Sequence, residues 1–344
     1  MLSQKLERLR QDPLGILRAR IQDDLDRLNR RYLEYPGIKF SWPIYDISRY
    51  FLNREAARLY AREEKLRATN SIQQSVIDEL KRQGISVIHF DDLFPASRFQ
   101  ELRELAESYV RQPSTQQMIE TIRKGGRPNA PFGKDYIIRL LGETPVLDRN
   151  DSFLQFSLAQ EILAIVCGYL NMFTRLVYIN LWLNAATGRP ESGSQRWHRD
   201  PEDRKQVKLF LYLCDVNEQN GPFCYLRETH YTGRFGGIYR QQINASNYPQ
   251  DGSLKGKIPE HLYQVCTGRA GTLIFCDTSG FHKGGHVVEG QRLLFTSVYT
   301  TNGAGPVMIR QKYYTIASFK GGPLSKPAEY AIDHLKHSSI ATAV

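Results

Sequence analysis

Between residues 136 and 300 the chain alternates short apolar runs with polar breaks. The runs are YIIRLL (136–141), LVYINLWLN (176–184), VKLFLYLCDV (207–216), PFCYL (222–226), GTLIFC (271–276) and RLLFTSVYT (292–300). Each is rich in β-branched and aromatic residues and is bounded by Gly, Pro, Asn or charged residues, the composition of strands. One segment among them, SLAQEILAIVCGYL (157–170), has helical spacing instead. Many short strands without alternating helices predict a sandwich or jelly roll rather than a parallel α/β sheet.

The N-terminal side has another texture. Segments 17–33 and 54–68 place apolar residues three and four apart, and Pro36, Gly37 and Pro43 separate them. A helix over 71–83 is ended by Gly84, a strand follows over 84–90, and 97–110 is again helical. The predicted organisation is a helical extension over 1–70 and a barrel domain with flanking helices over 71–344. The segment after Gly305 is expected to return over the barrel.

Composition adds constraints. A chain of 344 residues, 41% hydrophobic and 24% charged, can bury one substantial core. No run approaches the ~20 apolar residues of a membrane span. The N-terminus MLSQKLERLRQDPLG lacks the apolar stretch of a secretory signal, so a cytoplasmic location is expected. Cys167, Cys214, Cys224, Cys266 and Cys276 form no C-x-x-C pair and sit mostly in apolar runs, which predicts reduced, buried thiols. The net charge of +10 raises the question of a nucleic-acid partner. The basic residues are interleaved with acidic ones and no recognition motif accompanies them, so a solvated basic surface is expected. Oligomeric state is not legible in these patterns.

The chemistry starts in SQRWHRDPEDRK (194–205). His198 and Asp200 are one residue apart, so on an extended segment both side chains share a side and can take adjacent positions on one metal ion. The second segment, AGTLIFCDTSGFHKGG (270–285), is a strand running into a glycine-rich turn that carries His282. Two imidazoles and one carboxylate leave three coordination positions open, the donor set of non-heme Fe(II) oxygenases. His286, in GGHVVEG, is the alternative to His282, but only six residues separate it from Arg292. Arg292 follows His282 by ten residues and opens an apolar strand. A guanidinium there needs a buried anion, and the far carboxylate of 2-oxoglutarate fits its two-donor fork. Lys208 is the next cation to consider for that carboxylate.

From about residue 136 to 302 the chain resembles the phytanoyl-CoA dioxygenase family of Fe(II)/2-oxoglutarate oxygenases. The resemblance rests on WHRD with His198 and Asp200, then NGPFCYLRETH (220–230), then GTLIF leading to His282 in GFHKGG, and Arg292 behind it. GISVIHFDDLF (84–94) is similar to the family's N-terminal strand. The resemblance implies an α+β, mainly β fold: a double-stranded β-helix, the cupin-like jelly-roll barrel, with iron at its mouth. It also implies Fe(II), 2-oxoglutarate and O2 as cofactors, with oxidative decarboxylation to succinate and CO2 coupled to hydroxylation. The expected substrate is a small or carrier-bound metabolite, anionic ones included. The alternative is a metal- or ligand-binding jelly roll that senses without turnover. The family's Pro-Gly before the Ser/Thr-His turn is replaced by Arg227-Glu228, so substrate identity does not transfer. Gln195, Asn180 and Thr296 are candidates for co-substrate contacts, with Tyr178 on the face of Asn180 and Trp197 as a pocket wall. TIRKGGRPNAPFGKDY (121–136) gathers Arg123, Lys124, Arg127 and Lys134, either a lid over an anionic substrate or a solvated loop.

Overall fold

The computed structural model describes residues 41–67, 69–126, 134, 136–241, 248–304, 313–319 and 322–336. The helix expected over 17–33 and the loop residue Arg127 lie outside them. The described helices are α1 (Ser41–Arg62), α2 (Glu64–Arg67), α3 (Ser71–Gln83), α4 (Ala96–Val110), α5 (Pro113–Arg123), α6 (Ser152–Ser157), α7 (Gln160–Leu170) and α8 (Lys326–Lys336). None of the described helices is long and apolar enough to cross a membrane.

Eleven strands are described: β1 (Ile85–His89), β2 (Ile137–Arg139), β3 (Val146–Leu147), β4 (Arg175–Ala185), β5 (Val207–Tyr212), β6 (Phe223–Leu226), β7 (Tyr263–Cys266), β8 (Thr272–Cys276), β9 (His282–Gly284), β10 (Gln291–Thr300) and β11 (Thr315–Ile316). The main sheet runs β1-β8-β5-β10-β4-β2, and a small sheet runs β7-β6-β9. Every pairing in both is antiparallel. The jelly roll predicted from the sequence is thus two facing antiparallel sheets, linked by isolated bridges instead of a closed ladder.

Alternation along the strands divides the main sheet into two faces. Leu181 and Leu183 of β4, Leu209 and Leu211 of β5, Phe275 of β8 and Phe295 of β10 turn toward the helices and share one core with α3, α6 and α7. Phe295 stacks on Phe153, with centroids 5.0 Å apart, and meets Phe156 edge-on. The opposite face sends Phe210, Tyr212, Ile274 and Leu294 inward, against Phe223, Tyr225 and Cys266 of the small sheet. Both faces are buried, which is why these strands read as nearly continuous apolar runs.

Helix α3 is set by its ends. Asn70 and Gln73 form a reciprocal capping box, and Gly84 closes the C-terminus in the left-handed region at φ 80°. A Cβ at Gly84 would lie 2.4 Å from the Tyr225 hydroxyl, so only glycine lets the chain turn from α3 into β1 against the small sheet. The C-terminal helix α8 packs on β4 and α7, behind the main sheet. Four of the five cysteines are buried and Cys214 is half-buried, all as free thiols.

Candidate metal centre

The interior face of the main sheet is a set of cross-strand rows. Leu294, Thr296 and Val298 of β10 stand opposite Trp182, Asn180 and Tyr178 of β4, and opposite Tyr212, Phe210 and Lys208 of β5. Arg292, paired with Asn184, heads this series, and Lys208 lies toward its other end. Phe210 reaches across to Phe223 at 4.8 Å between centroids, and Phe223 lies 5.8 Å from the ring of His282. The rows therefore face the strand that carries His282.

His198 and His282 exchange two backbone hydrogen bonds, each 3.0 Å. The Asp200 N–H donates to Thr278 O at 2.9 Å, continuing the pairing. On this extended segment His198 and Asp200 turn to one side and Arg199 to the other. Arg199 is buried, donates to the carbonyls of Thr229, Ser279 and Ile238, and stacks over Phe281. Burial lowers its pKa to about 10. Sequence reasoning passed over Arg199, although the middle residue of a same-side pair must face away.

Each imidazole engages a backbone carbonyl through Nδ1: His198 with Arg196 O at 2.8 Å and His282 with Gly280 O at 3.0 Å. With Nδ1 as the donor, Nε2 keeps its lone pair for a metal. The two Nε2 atoms turn to the Asp200 carboxylate, at 3.5 Å from His198 to Oδ1 and 3.4 Å from His282 to Oδ2. One ligand atom from each of the three residues lies within 4.8 Å of the others, and all three residues are buried. Burial, and secondarily the second imidazole, lower the His198 pKa to about 4 despite Asp200, so its ring is neutral at ordinary pH. Burial alone would raise the Asp200 carboxyl, but Lys208 and the two imidazoles outweigh it and hold it well below the usual range. The neutral His198 ring and the second imidazole beside an ionised carboxylate match the donor set that binds Fe(II).

Arg292 is buried on the interior face, not a surface residue at a strand end. Its guanidinium donates to Gly221 O and, at 3.3 Å, to Asn184 Oδ1, and no anion among the described residues pairs with it. The Lys208 ammonium sits 2.5 Å from Asp200 Oδ2. It therefore belongs to the metal end of the pocket and is not a second anchor beside Arg292.

The other expected contacts divide. Gln195 is buried and its side-chain N–H reaches His286 Nδ1 at 3.2 Å, which ties His286 to the short 3-10 turn Gly193–Gln195. Asn180 and Thr296 face each other on the interior, both fully buried. The Asn180 amide donates one N–H to Gly142 O at 2.9 Å, and its Oδ1 has no partner. The second N–H of that amide can still donate to a ligand, so the co-substrate contact expected of Asn180 stays chemically open. Thr296 keeps a free hydroxyl that can donate. Trp197 contacts Tyr263 and Lys283, on the side of its segment away from the ligand atoms, and is not a wall of this pocket. Tyr178 accepts from the Trp182 indole N–H at 2.9 Å.

Several contributors were not visible in the sequence. Tyr248, 39% exposed, stacks on His198 with centroids 5.2 Å apart and planes 15° from parallel. Glu202 has a carboxylate oxygen buried without a partner, and burial followed by Asp200 raises its pKa to about 7. Lys134 is half-buried, with its pKa lowered by desolvation, whereas Arg123 and Lys124 are exposed. Glu228 adopts φ 63°, the left-handed conformation that the family's glycine would take without strain.

The family model for phytanoyl-CoA dioxygenase (PhyH) matches residues 80–292. No curated protein matches. Among solved structures, the chain is similar to the non-heme alpha ketoglutarate dependent epimerase SnoN from nogalamycin biosynthesis, at 15% identity over 67% of this chain and 84% of that one, TM-score 0.46. It is also similar to EctD from S. alaskensis with 2-oxoglutarate and 5-hydroxyectoine, at 16% identity, 68% and 76% coverage and TM-score 0.45. A third is HygX from Streptomyces hygroscopicus with nickel, 2-oxoglutarate and hygromycin B bound, at 15% identity, 68% and 88% coverage and TM-score 0.41. Likeness at this level assigns no function; the family match spans more than half of the chain. The chain belongs to the phytanoyl-CoA dioxygenase family, whose cofactors are Fe(II), 2-oxoglutarate and O2.

Proposed function

We propose that this protein is a 2-oxoglutarate-dependent hydroxylase of a small or carrier-bound metabolite, with iron held by His198, Asp200 and His282. Arg292 holds the far carboxylate of the co-substrate. The observation that carries the reading is the buried triad of two imidazole Nε2 atoms and one carboxylate, all within 4.8 Å of one another, with a buried guanidinium further along the same interior.

The bound iron, with 2-oxoglutarate and O2, supplies an oxidant that converts a substrate C–H to C–OH while the co-substrate leaves as succinate and CO2. The protein's own part is binding and orientation. The two Nδ1 contacts fix the imidazole tautomers, and the carbonyl-bound Arg292 presents its fork from a position that cannot swing. Thr296 supplies a hydroxyl donor midway along the co-substrate path, and Phe210 and Phe223 keep water from that path. Asn180 Oδ1 is left for a donor on the substrate. The test is an anaerobic titration of 2-oxoglutarate into the Fe(II) protein, followed by a screen for succinate formation with anionic, sugar, lipid and carrier-bound compounds. Absence of a metal-to-ligand absorption band at every 2-oxoglutarate concentration overturns the assignment.

A further inference from the structure

We propose that Lys208 is a positioning residue that confines Asp200 to one-oxygen coordination and so keeps three positions on the metal open. This rests on the metal reading above. Both oxygens of Asp200 face the metal position, Oδ1 3.5 Å from His198 Nε2 and Oδ2 3.4 Å from His282 Nε2. A carboxylate placed in this way can grip a cation through one oxygen or through both. Two-oxygen binding fills a position that a bidentate co-substrate plus O2 requires.

Lys208 decides between these modes. Its Nζ is 2.5 Å from Oδ2, and the two side chains are 12% and 9% exposed, so water does not compete for the contact. A short charge-assisted hydrogen bond in a buried site occupies one lone pair of the oxygen that accepts it and draws its charge toward the donor. An ammonium and a divalent cation also repel each other, which disfavours their sharing that oxygen. Oδ2 is thereby withdrawn, and Oδ1 is left for the metal. Lys208 is fixed in place, because β5 lies between β10 and β8 in the main sheet, opposite Val298 and Cys276. Among the described residues its ammonium makes no other hydrogen bond, although the Glu202 carboxylate also acts on it through space.

The experiment loads Mn(II) into wild type, Lys208→Met and Lys208→Arg and counts exchangeable metal-bound waters by proton relaxation. A parallel titration measures 2-oxoglutarate binding to the anaerobic Fe(II) forms. With three open positions in wild type, Lys208→Met should lose about one third of the relaxivity per bound metal. It should bind Mn(II) as tightly as wild type or more so, and 2-oxoglutarate at least ~10-fold more weakly. Lys208→Arg, which keeps the charge, should recover both readouts. If Lys208→Met does not fold, Lys208→Gln carries the comparison, with the same direction expected. Relaxivity and co-substrate affinity unchanged from wild type overturn the proposal. So does loss of Mn(II) as complete as in Asp200→Ala with an intact circular dichroism spectrum, since the lysine would then build the site. A wild type that binds Mn(II) but gives no absorption band with Fe(II) and 2-oxoglutarate removes the oxygenase reading and leaves the relaxivity comparison readable.

Discussion

His198 and His282 are joined backbone to backbone by a reciprocal pair of 3.0 Å hydrogen bonds, and their rings lie 4.2 Å apart. The two imidazoles come from segments distant in the chain, yet their spacing is set by a β-bridge rather than by side-chain freedom. The backbone pairing thus fixes the distance between the two imidazole donors.

That rigidity gives the first prediction. His198→Ala, Asp200→Ala and His282→Ala should each remove most of the bound iron, measured by metal analysis after desalting. His286→Ala should retain it, because Gln195 engages that ring 3.2 Å away. Iron kept by His282→Ala and lost by His286→Ala would reverse the choice of histidine.

Acid stability of the metal-free protein is the second. Below pH 6.5 the unfolded chain protonates His198 while the folded chain refuses the proton until about pH 4. This removes up to about 3 kcal/mol as pH falls through that window. Glu202 works in the opposite sense: its folded pKa is about 7 against an ordinary 4.5, so folding gains as pH falls from 7 to 4.5. The two trends offset, and the wild-type Tm should change little between pH 6.5 and 5. Glu202→Gln removes one of them, and its Tm should fall with pH across that interval. The depressed Asp200 carboxyl matters only below its ordinary pKa of 3.8, outside this interval. Parallel Tm curves for wild type and Glu202→Gln would contradict the assignment.

Arg292 and Asn180 should separate in a co-substrate titration. Arg292→Ala loses the charge-assisted partner of a buried carboxylate, a loss of ~2–5 kcal/mol and hence at least ~10-fold in affinity, with iron binding retained. Arg292→Lys should recover only part, lacking the planar fork. Asn180→Leu should weaken 2-oxoglutarate binding less than Arg292→Ala does, because it removes at most one neutral N–H donor and no charge.

Packing gives a fourth outcome. Phe295 is fully buried between the main sheet and α6, against Phe153 and Phe156. Phe295→Ala should cost ~3–5 kcal/mol in urea unfolding, through lost burial and a cavity. Val146, 68% exposed, should tolerate Ala within about 0.5 kcal/mol in the same assay.

Glu228 supplies the last. Its φ of 63° is sustained by a 2.8 Å bond from its N–H to Gln83 O and another from the Phe235 N–H to its carbonyl. Glycine adopts this conformation without the Cβ clash, so Glu228→Gly should raise stability by about 0.5–1 kcal/mol in the same unfolding assay. A loss of stability would mean that the Glu228 side chain contributes more than its backbone strain costs.

The elements and the outline of the site are legible in the chain, because both are written in local spacing. Runs of β-branched and aromatic residues between breakers mark the strands, and Gly84 marks the end of α3. A one-residue gap puts His198 and Asp200 on one side, and ten residues place Arg292 behind His282. The remainder depends on register between segments far apart. The interior and helix-facing sides of β4, β5 and β10 are both buried, so their alternation is masked and the sequence does not say that Lys208 points inward. Nor does it bring Lys208 to Asp200, Tyr248 over His198, or Gln195 to His286. Asn180 shows the physical reason most plainly: its type allows an interior contact, but the carbonyl of Gly142, on a neighbouring loop, decides which way its amide is turned.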